Sequence, residues 1–156
     1  MAIRNILKEE DDILHKKSRE VTVFDSRLHQ LLDDMAQTMH TAEGVGLAAV
    51  QVGVLRRAVI VDIEDEHGLL EFVNPVVIKQ SRKHRSDREG CLSFKGEWGM
   101  VDRPVRITVE AMDRYGRKFI MDCKDLLARA ILHEVDHLEG IVFKDVATKV
   151  VRGEEE

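Results

Sequence analysis

Leu132-His133-Glu134-Val135-Asp136-His137-Leu138 contains the pattern H-E-x-x-H, and the reading of the whole chain turns on it. On an α-helix, residues four apart share one face, one turn from each other. His133 and His137 can then point two imidazole nitrogens at one cation, with the Glu134 carboxylate beside it. A Lewis acid, a water and a base to deprotonate it suffice for hydrolysis.

Working outward, the motif helix should begin near Lys124 or Asp125 and end at Leu138, with Gly140 just beyond as a C-cap. Leu126, Ala130, His133 and His137 then lie on one face. A second helix is predicted upstream, capped by Asp25 or Ser26. There Leu28, Leu31, Leu32, Met35 and Met39 follow the i, i+3, i+4, i+7 stripe, so the methionines read as core. It should stop near Ala42, before Gly44 and Gly46. Between the helices the chain reads as strands: Arg57 to Ile63, then Leu70 to Ile78 with an interruption at Asn74-Pro75. Val105 to Met112 and Arg117 to Cys123 form a hairpin across the turn Asp113-Arg114-Tyr115-Gly116. Helix, strands, helix predicts an α+β domain with a mostly antiparallel sheet, spanning residues 1–148. Residues 149–156 read as a short charged tail, frayed.

A length of 156 residues suits one domain with a real core, and a formal net charge of -5 argues against a broad nucleic-acid surface. The basic run from Lys79 to Arg88 reads as a solvated loop or strand edge. No apolar stretch is long enough to span a bilayer and no signal-peptide core is evident, so a cytoplasmic protein with no membrane partner is expected. Two cysteines, Cys91 and Cys123, are then thiols or ligands and not a disulfide. Cys123, at a strand end, reads as a buried thiol. His15, His29, His40, His67 and His84 have no ligand spacing.

Two histidines leave a metal site one ligand short. In the longer pattern H-E-x-x-H-x-x-G-x-x-H the final position here is Phe143, which cannot ligate. A downstream carboxylate would have to be Glu139, too close to reach round, or Glu154 to Glu156, in a tail without a scaffold. Cys91, in Glu89-Gly90-Cys91-Leu92-Ser93, is the third candidate. Its bland reading is a small buried hydrophobe. Its sharper reading completes an open site of one thiolate and two imidazoles.

Three stretches together resemble the peptide deformylase family. Gly44-Val45-Gly46-Leu47-Ala48-Ala49-Val50-Gln51 is similar to its first motif, Glu89 to Ser93 to its second, and His133 to Gly140 to its third, all in the family's order. Ile3-Arg4, Asn74-Pro75 and Arg103 agree as well. Lys95 stands where the family commonly has proline, and Leu132 where it often has glutamine.

The resemblance implies antiparallel sheets packed around a central C-terminal helix that carries H-E-x-x-H. It implies Cys91, His133 and His137 as metal ligands, and Glu134 as the base that takes a proton from water and delivers it to the leaving amine. Donors to the carbonyl oxygen would be the Gln51 amide and the Leu92 backbone N–H. Without the motif Gln51 would read as a surface polar residue. The implied substrate is the formyl-methionine terminus of a nascent peptide, with formate as product. Val45, Leu126 and Ala130 are candidates for the methionine slot, Gly44 and Gly46 for close backbone approach, and Glu89 with Arg103 for an ion pair supporting the Cys91 loop. Asp136 can orient neighbouring groups. Fe(II) is the implied ion, with Zn(II), Ni(II) or Co(II) as possible occupants. A monomer passing close to the ribosome is expected, without direct nucleic-acid binding. Two rival readings are a zinc peptidase of the H-E-x-x-H type and a catalytically idle metal-bound domain that binds nascent chains.

Overall fold

Residues 2–153 are described by the computed structural model; Glu154, Glu155 and Glu156, weighed above as ligands, lie outside them. Among these residues eight strands and three α-helices succeed one another as α1 (Ser26–Thr41), β1 (Gly46–Ala48), β2 (Ala58–Val61), β3 (Leu70–Gln80), β4 (His84–Glu89), β5 (Glu97–Pro104), β6 (Arg106–Met112), β7 (Lys118–Lys124), α2 (Asp125–Leu138), α3 (Phe143–Val146) and β8 (Lys149–Arg152). One sheet has the order β1-β2-β3-β6-β7 and the other β4-β5-β8, and every strand pair is antiparallel.

β2 shows why the large sheet sits in the middle. Its four residues are all fully buried, which a strand needs when both faces are covered. Val59 and Val61 join Phe72, Val109, Leu127 and Ile131 beneath α2. Ala58 and Ile60 join Leu28, Leu32, Met35 and Met39 beneath α1. Period two in the strand thus meets the 3.6-residue stripe of a helix on each side. α1 starts where the Asp25 carboxylate accepts the N–H groups of Arg27 and Leu28, both at 3.2 Å. α2 ends as expected: the Leu138 carbonyl accepts from Ser18 N–H and the Arg57 guanidinium, and Gly140 adopts φ 75°.

Two expectations need correction. Asn74-Pro75 does not interrupt β3. The strand continues through a bulge there, with Asn74 at φ 51°, and the Asn74 amide clamps both the N–H and the carbonyl of Val21. Nor is the end of the chain frayed from Lys149. Residues Lys149–Arg152 pair with Met100 to Glu97 as the third strand of the small sheet. The open edge of β5 supplies backbone partners that no local pattern in that segment announces. The basic run falls on the end of β3 and on β4, whose residues are exposed except Glu89. Among the described residues no helix is long and apolar enough to cross a membrane.

Candidate metal centre and cleft

α2 and the small sheet meet at one point, and the buried charged groups of both, Glu89, Arg103, Arg129 and Glu134 among them, are concentrated there. α2 carries His133, Glu134 and His137, all at most 7% exposed. From the other side β4 ends at Glu89, and the chain turns tightly after Cys91, with Phe94 N–H donating to the Cys91 carbonyl at 2.9 Å. The sulfur of Cys91 and one ring nitrogen each of His133 and His137 lie within 4.8 Å of one another. Cys91 Sγ is 3.4 Å from His137 Nε2. Tetrahedral bonds of about 2.3 Å to sulfur and about 2.05 Å to nitrogen would set those two atoms about 3.6 Å apart. Two buried atoms, Glu134 Oε1 and His137 Nδ1, have no hydrogen-bond partner among the described residues. The donor set and the spacing fit a divalent ion.

Glu89 organises this cage. Its carboxylate accepts from Arg103 at 2.8 and 2.9 Å, from Arg129 at 2.8 Å and from His133 Nδ1–H at 2.9 Å. With Nδ1 as the donor, His133 keeps its Nε2 lone pair for the cage. Arg103 also holds Asp136 at 2.6 Å, one helical residue from His137. Burial alone would raise the Glu89 pKa, but hydrogen bonds from Arg103 and His133, and the Arg103 charge, outweigh it and hold it at about 2. At Glu134 burial dominates and pushes the carboxyl up to about 7. His137 is held well below its ordinary range, first by burial and then by His133 and Arg103. His133 goes the other way: burial opposes its charge, but Glu134, Cys91 and Glu89 draw a proton to it. The cage attracts positive charge, and a metal ion would take that proton's place.

Gln51 is only 1% exposed, so the surface reading of it fails. Its Oε1 accepts from Ala48 N–H at 3.0 Å, and its Nε2 donates to Cys91 Sγ at 3.3 Å and Ser93 Oγ at 3.1 Å. Leu92 follows directly in the turn. A cleft of about 320 Å³ opens on the cage, with Gly44, Val45, Gly46, Leu126 and Ala130 in its walls and exposed Glu43 and Arg88 at its mouth. All the candidate site residues thus gather at the cleft or just behind it. The two glycines differ from expectation in one respect. Their missing Cβ atoms make room for side chains of the site: a Cβ on Gly46 would lie 2.5 Å from Glu134 Oε2, and one on Gly44 would lie 2.6 Å from Leu92 Cδ1.

Three residues of the site escaped the sequence reading. Arg129, four before His133 and so on its face, is the second cation on Glu89, and it also ties α2 to the Val101 carbonyl at 2.8 Å. An arginine at that spacing was a readable signal; its burial was not. Ser93 receives the Gln51 amide. Phe143, excluded as a ligand, stacks its ring on His133 at 6.3 Å between centroids. Leu132 packs half-buried against the core beneath α2. Cys123 is buried, and His40, His67 and His84 face carboxylates away from the cage. In the β2–β3 loop Asp65, Glu66 and His67 bring ligand atoms equally close together, but Glu66 and His67 are exposed.

Comparison with known proteins agrees with this geometry. A family model described as polypeptide deformylase matches residues 3–152. The peptide deformylase of Caldicellulosiruptor bescii is 52% identical over 155 residues, 99% of this chain and 92% of that one. The crystal structure of peptide deformylase from Thermotoga maritima superposes with a TM-score of 0.92 at 31% identity, covering 96% of this chain and 100% of that one. The enzyme from Ehrlichia chaffeensis in complex with actinonin does so with a TM-score of 0.92 at 36% identity, covering 96% and 91%. With its matches running nearly end to end, the chain belongs to the polypeptide deformylase family.

Proposed function

We propose that Cys91, His133 and His137 hold one divalent ion in an enzyme that hydrolyses the N-formyl group from the formyl-methionine of newly made polypeptides, releasing formate. One observation carries this reading: a thiol from the β4–β5 turn and two imidazoles from α2 converge within 4.8 Å beside a buried carboxylate oxygen of Glu134 that has no partner among the described residues. When bound, the ion supplies Lewis acidity, which polarises a carbonyl and makes water acidic enough to lose a proton near neutral pH. Fe(II) is our assignment, and Zn(II), Ni(II) or Co(II) suit the same donors.

Glu134 takes the proton from the attacking water and returns it to the leaving amine, a task for which its buried place beside the cage suits it. Negative charge that develops on the formyl oxygen meets the Gln51 amide and the Leu92 N–H, donors held in place before reaction. The ion pair of Glu89 with Arg103 and Arg129 orients His133 and stiffens the turn at Cys91. β1 pairs with β2 on one edge only, so an extended peptide can add to its other edge, with the methionine side chain in the slot of Val45, Leu126 and Ala130. Free thiols at Cys91 and Cys123 suit a reducing cytoplasm, where formylated chains emerge from the ribosome. A buried Gln51 and an intact Glu134 favour this reading over an idle binding domain, and the gathered cysteine favours it over a peptidase with another third ligand.

The test is formate release from formyl-Met-Ala-Ser by metal-loaded protein, compared with Glu134→Ala. The reading expects turnover that falls by about 10²- to 10⁴-fold in the variant. Cleavage of internal peptide bonds without formate release would refute it.

A further inference from the structure

Both hydrogens of the Gln51 amide are engaged before any substrate arrives. Nε2 donates to Ser93 Oγ at 3.1 Å and to Cys91 Sγ at 3.3 Å, while Oε1 is fixed by the Ala48 N–H at 3.0 Å. The sulfur is a member of the cage. The hydroxyl comes from a residue only 3% exposed, facing a glutamine only 1% exposed, so bulk water does not reach the bond between them. Leu92 and Ser93 are the two central residues of the turn that Phe94 N–H closes on the Cys91 carbonyl at 2.9 Å. One tight turn therefore carries the Cys91 sulfur, the Leu92 N–H and the hydroxyl that grips Gln51.

We infer that Ser93 is a positioning residue: its hydroxyl clamps one Gln51 N–H so that the other is aimed at the charge developing on the formyl oxygen. The inference rests on the deformylase reading above and adds a residue to it. The terminal torsion of a glutamine has no sharp minimum of its own, so partners decide where the amide points. Its two N–H bonds diverge within one plane, and holding one fixes the direction of the other. The second N–H rests on Cys91 Sγ. Sulfur accepts more weakly than a charged oxygen, so this N–H turns to the formyl oxygen as charge builds there. Ala48 and Ser93 then remain as the two fixed points of the amide. Without the hydroxyl the amide hangs from the Ala48 bond alone and tilts. Loss of a whole donor of this kind costs about 10²- to 10³-fold in kcat, and a donor that stays but loses its aim should cost about 10-fold.

The test is steady-state formate release from formyl-Met-Ala-Ser by metal-loaded wild type, Ser93→Ala, Ser93→Thr and Ser93→Val. Ser93→Ala should lower kcat by about 10-fold with KM within about 2-fold, because the lost alignment matters only in the transition state. Thr and Val have nearly the same shape and differ by the hydroxyl, so Ser93→Thr should exceed Ser93→Val by about 10-fold, whatever strain the two share. In a Gln51→Ala background, removing the Ser93 hydroxyl should cost less than about 2-fold, since its effect runs through an amide no longer there. A second readout needs no turnover. In zinc-loaded protein, hydrogen exchange of the Gln51 side-chain amide, followed by NMR, should be at least about 10-fold faster without the hydroxyl than with it. Additive losses in the Gln51→Ala background, a loss that tracks lost metal, equal activity of the Thr and Val variants, or unchanged amide exchange would overturn the inference. Formate released by none of the proteins, wild type included, would instead sink the deformylase reading itself.

Discussion

Replacing Gly46 by alanine should push the Glu134 carboxylate, the proposed base, away from the cage. The added Cβ would stand 2.5 Å from Glu134 Oε2 and 3.0 Å from both Glu134 Cδ and Cγ. Ordinary contact begins near 3.4 Å, so the carboxylate must retreat by about 0.9 Å. Because the three nearest atoms all belong to one side chain, the fold can yield within the about 1–3 kcal/mol of a modest overpacking. Catalysis cannot, since a displacement of about 1 Å at a reacting group costs on the order of 10²-fold. Neither Cys91, His133 nor His137 is among the atoms nearest that Cβ. We therefore expect Gly46→Ala to keep one metal ion per chain and a melting temperature near wild type while kcat/KM on formyl-Met-Ala-Ser falls about 10²-fold. Gly44→Ala is the control. The three atoms nearest its Cβ all belong to the Leu92 side chain, the closest Cδ1 at 2.6 Å, which can swing aside, so a loss under about 10-fold is expected. Metal analysis, thermal melts and steady-state formate release settle the matter. Gly46→Ala within about 3-fold of wild type, or a loss tracking lost metal, would refute the argument that this glycine reserves space for the base.

Three further outcomes follow from the charges and thiols. In metal-free protein, the Glu89 carboxyl, held at about 2 against an ordinary 4.5, contributes stability that is present above pH 4.5 and lost as pH falls toward 2. That loss is worth about 3 kcal/mol, and denaturation curves of Glu89→Gln should lack this acid limb and start lower at neutral pH, because Arg103 and Arg129 lose their shared anion. Cys91→Ser should leave the chain folded but drop its metal affinity by at least about 100-fold, read as metal retained after dialysis; full retention would remove Cys91 from the ligand set. Burial and the neighbouring Asp122 charge push the Cys123 thiol up to about 11, so a disulfide reagent at pH 8 should label one thiol per native metal-free chain, Cys91, and two only after denaturation.

What could be read directly in the residues was what is local. The caps of α1, the stripe of its leucines and methionines, the Asp113–Gly116 turn and the run of α2 from Asp125 to Leu138 depend on neighbours within a few positions, and all are present. The misreadings share a cause. β8 exists because β5, some fifty residues earlier, offers it an edge, and the β3 bulge exists because Val21 comes to meet Asn74. Arg129 and the glycines were visible but their partners were not. Periodicity places Arg129 on the His133 face without revealing that Glu89 waits there, and a glycine in a motif suggests backbone freedom when what matters is the side chain opposite.

The same distinction explains how the site closes. α2 alone can supply two nitrogens and a base, since their spacing is written in one helical turn. The sulfur cannot come from the helix; it arrives only when the small sheet docks against α2. At that junction Glu89 on β4 binds Arg103 on β5 and Arg129 and His133 on α2 through one carboxylate. A buried anion shared by two arginines and a histidine of the cage is strongly destabilised if any partner withdraws. Docking of the sheet and orientation of His133 are therefore one event. The energetic penalty for leaving Glu89 unpaired works against any arrangement in which the helix is formed and the sheet stands off. For that reason Cys91 and the two imidazoles meet at the junction of the small sheet with α2.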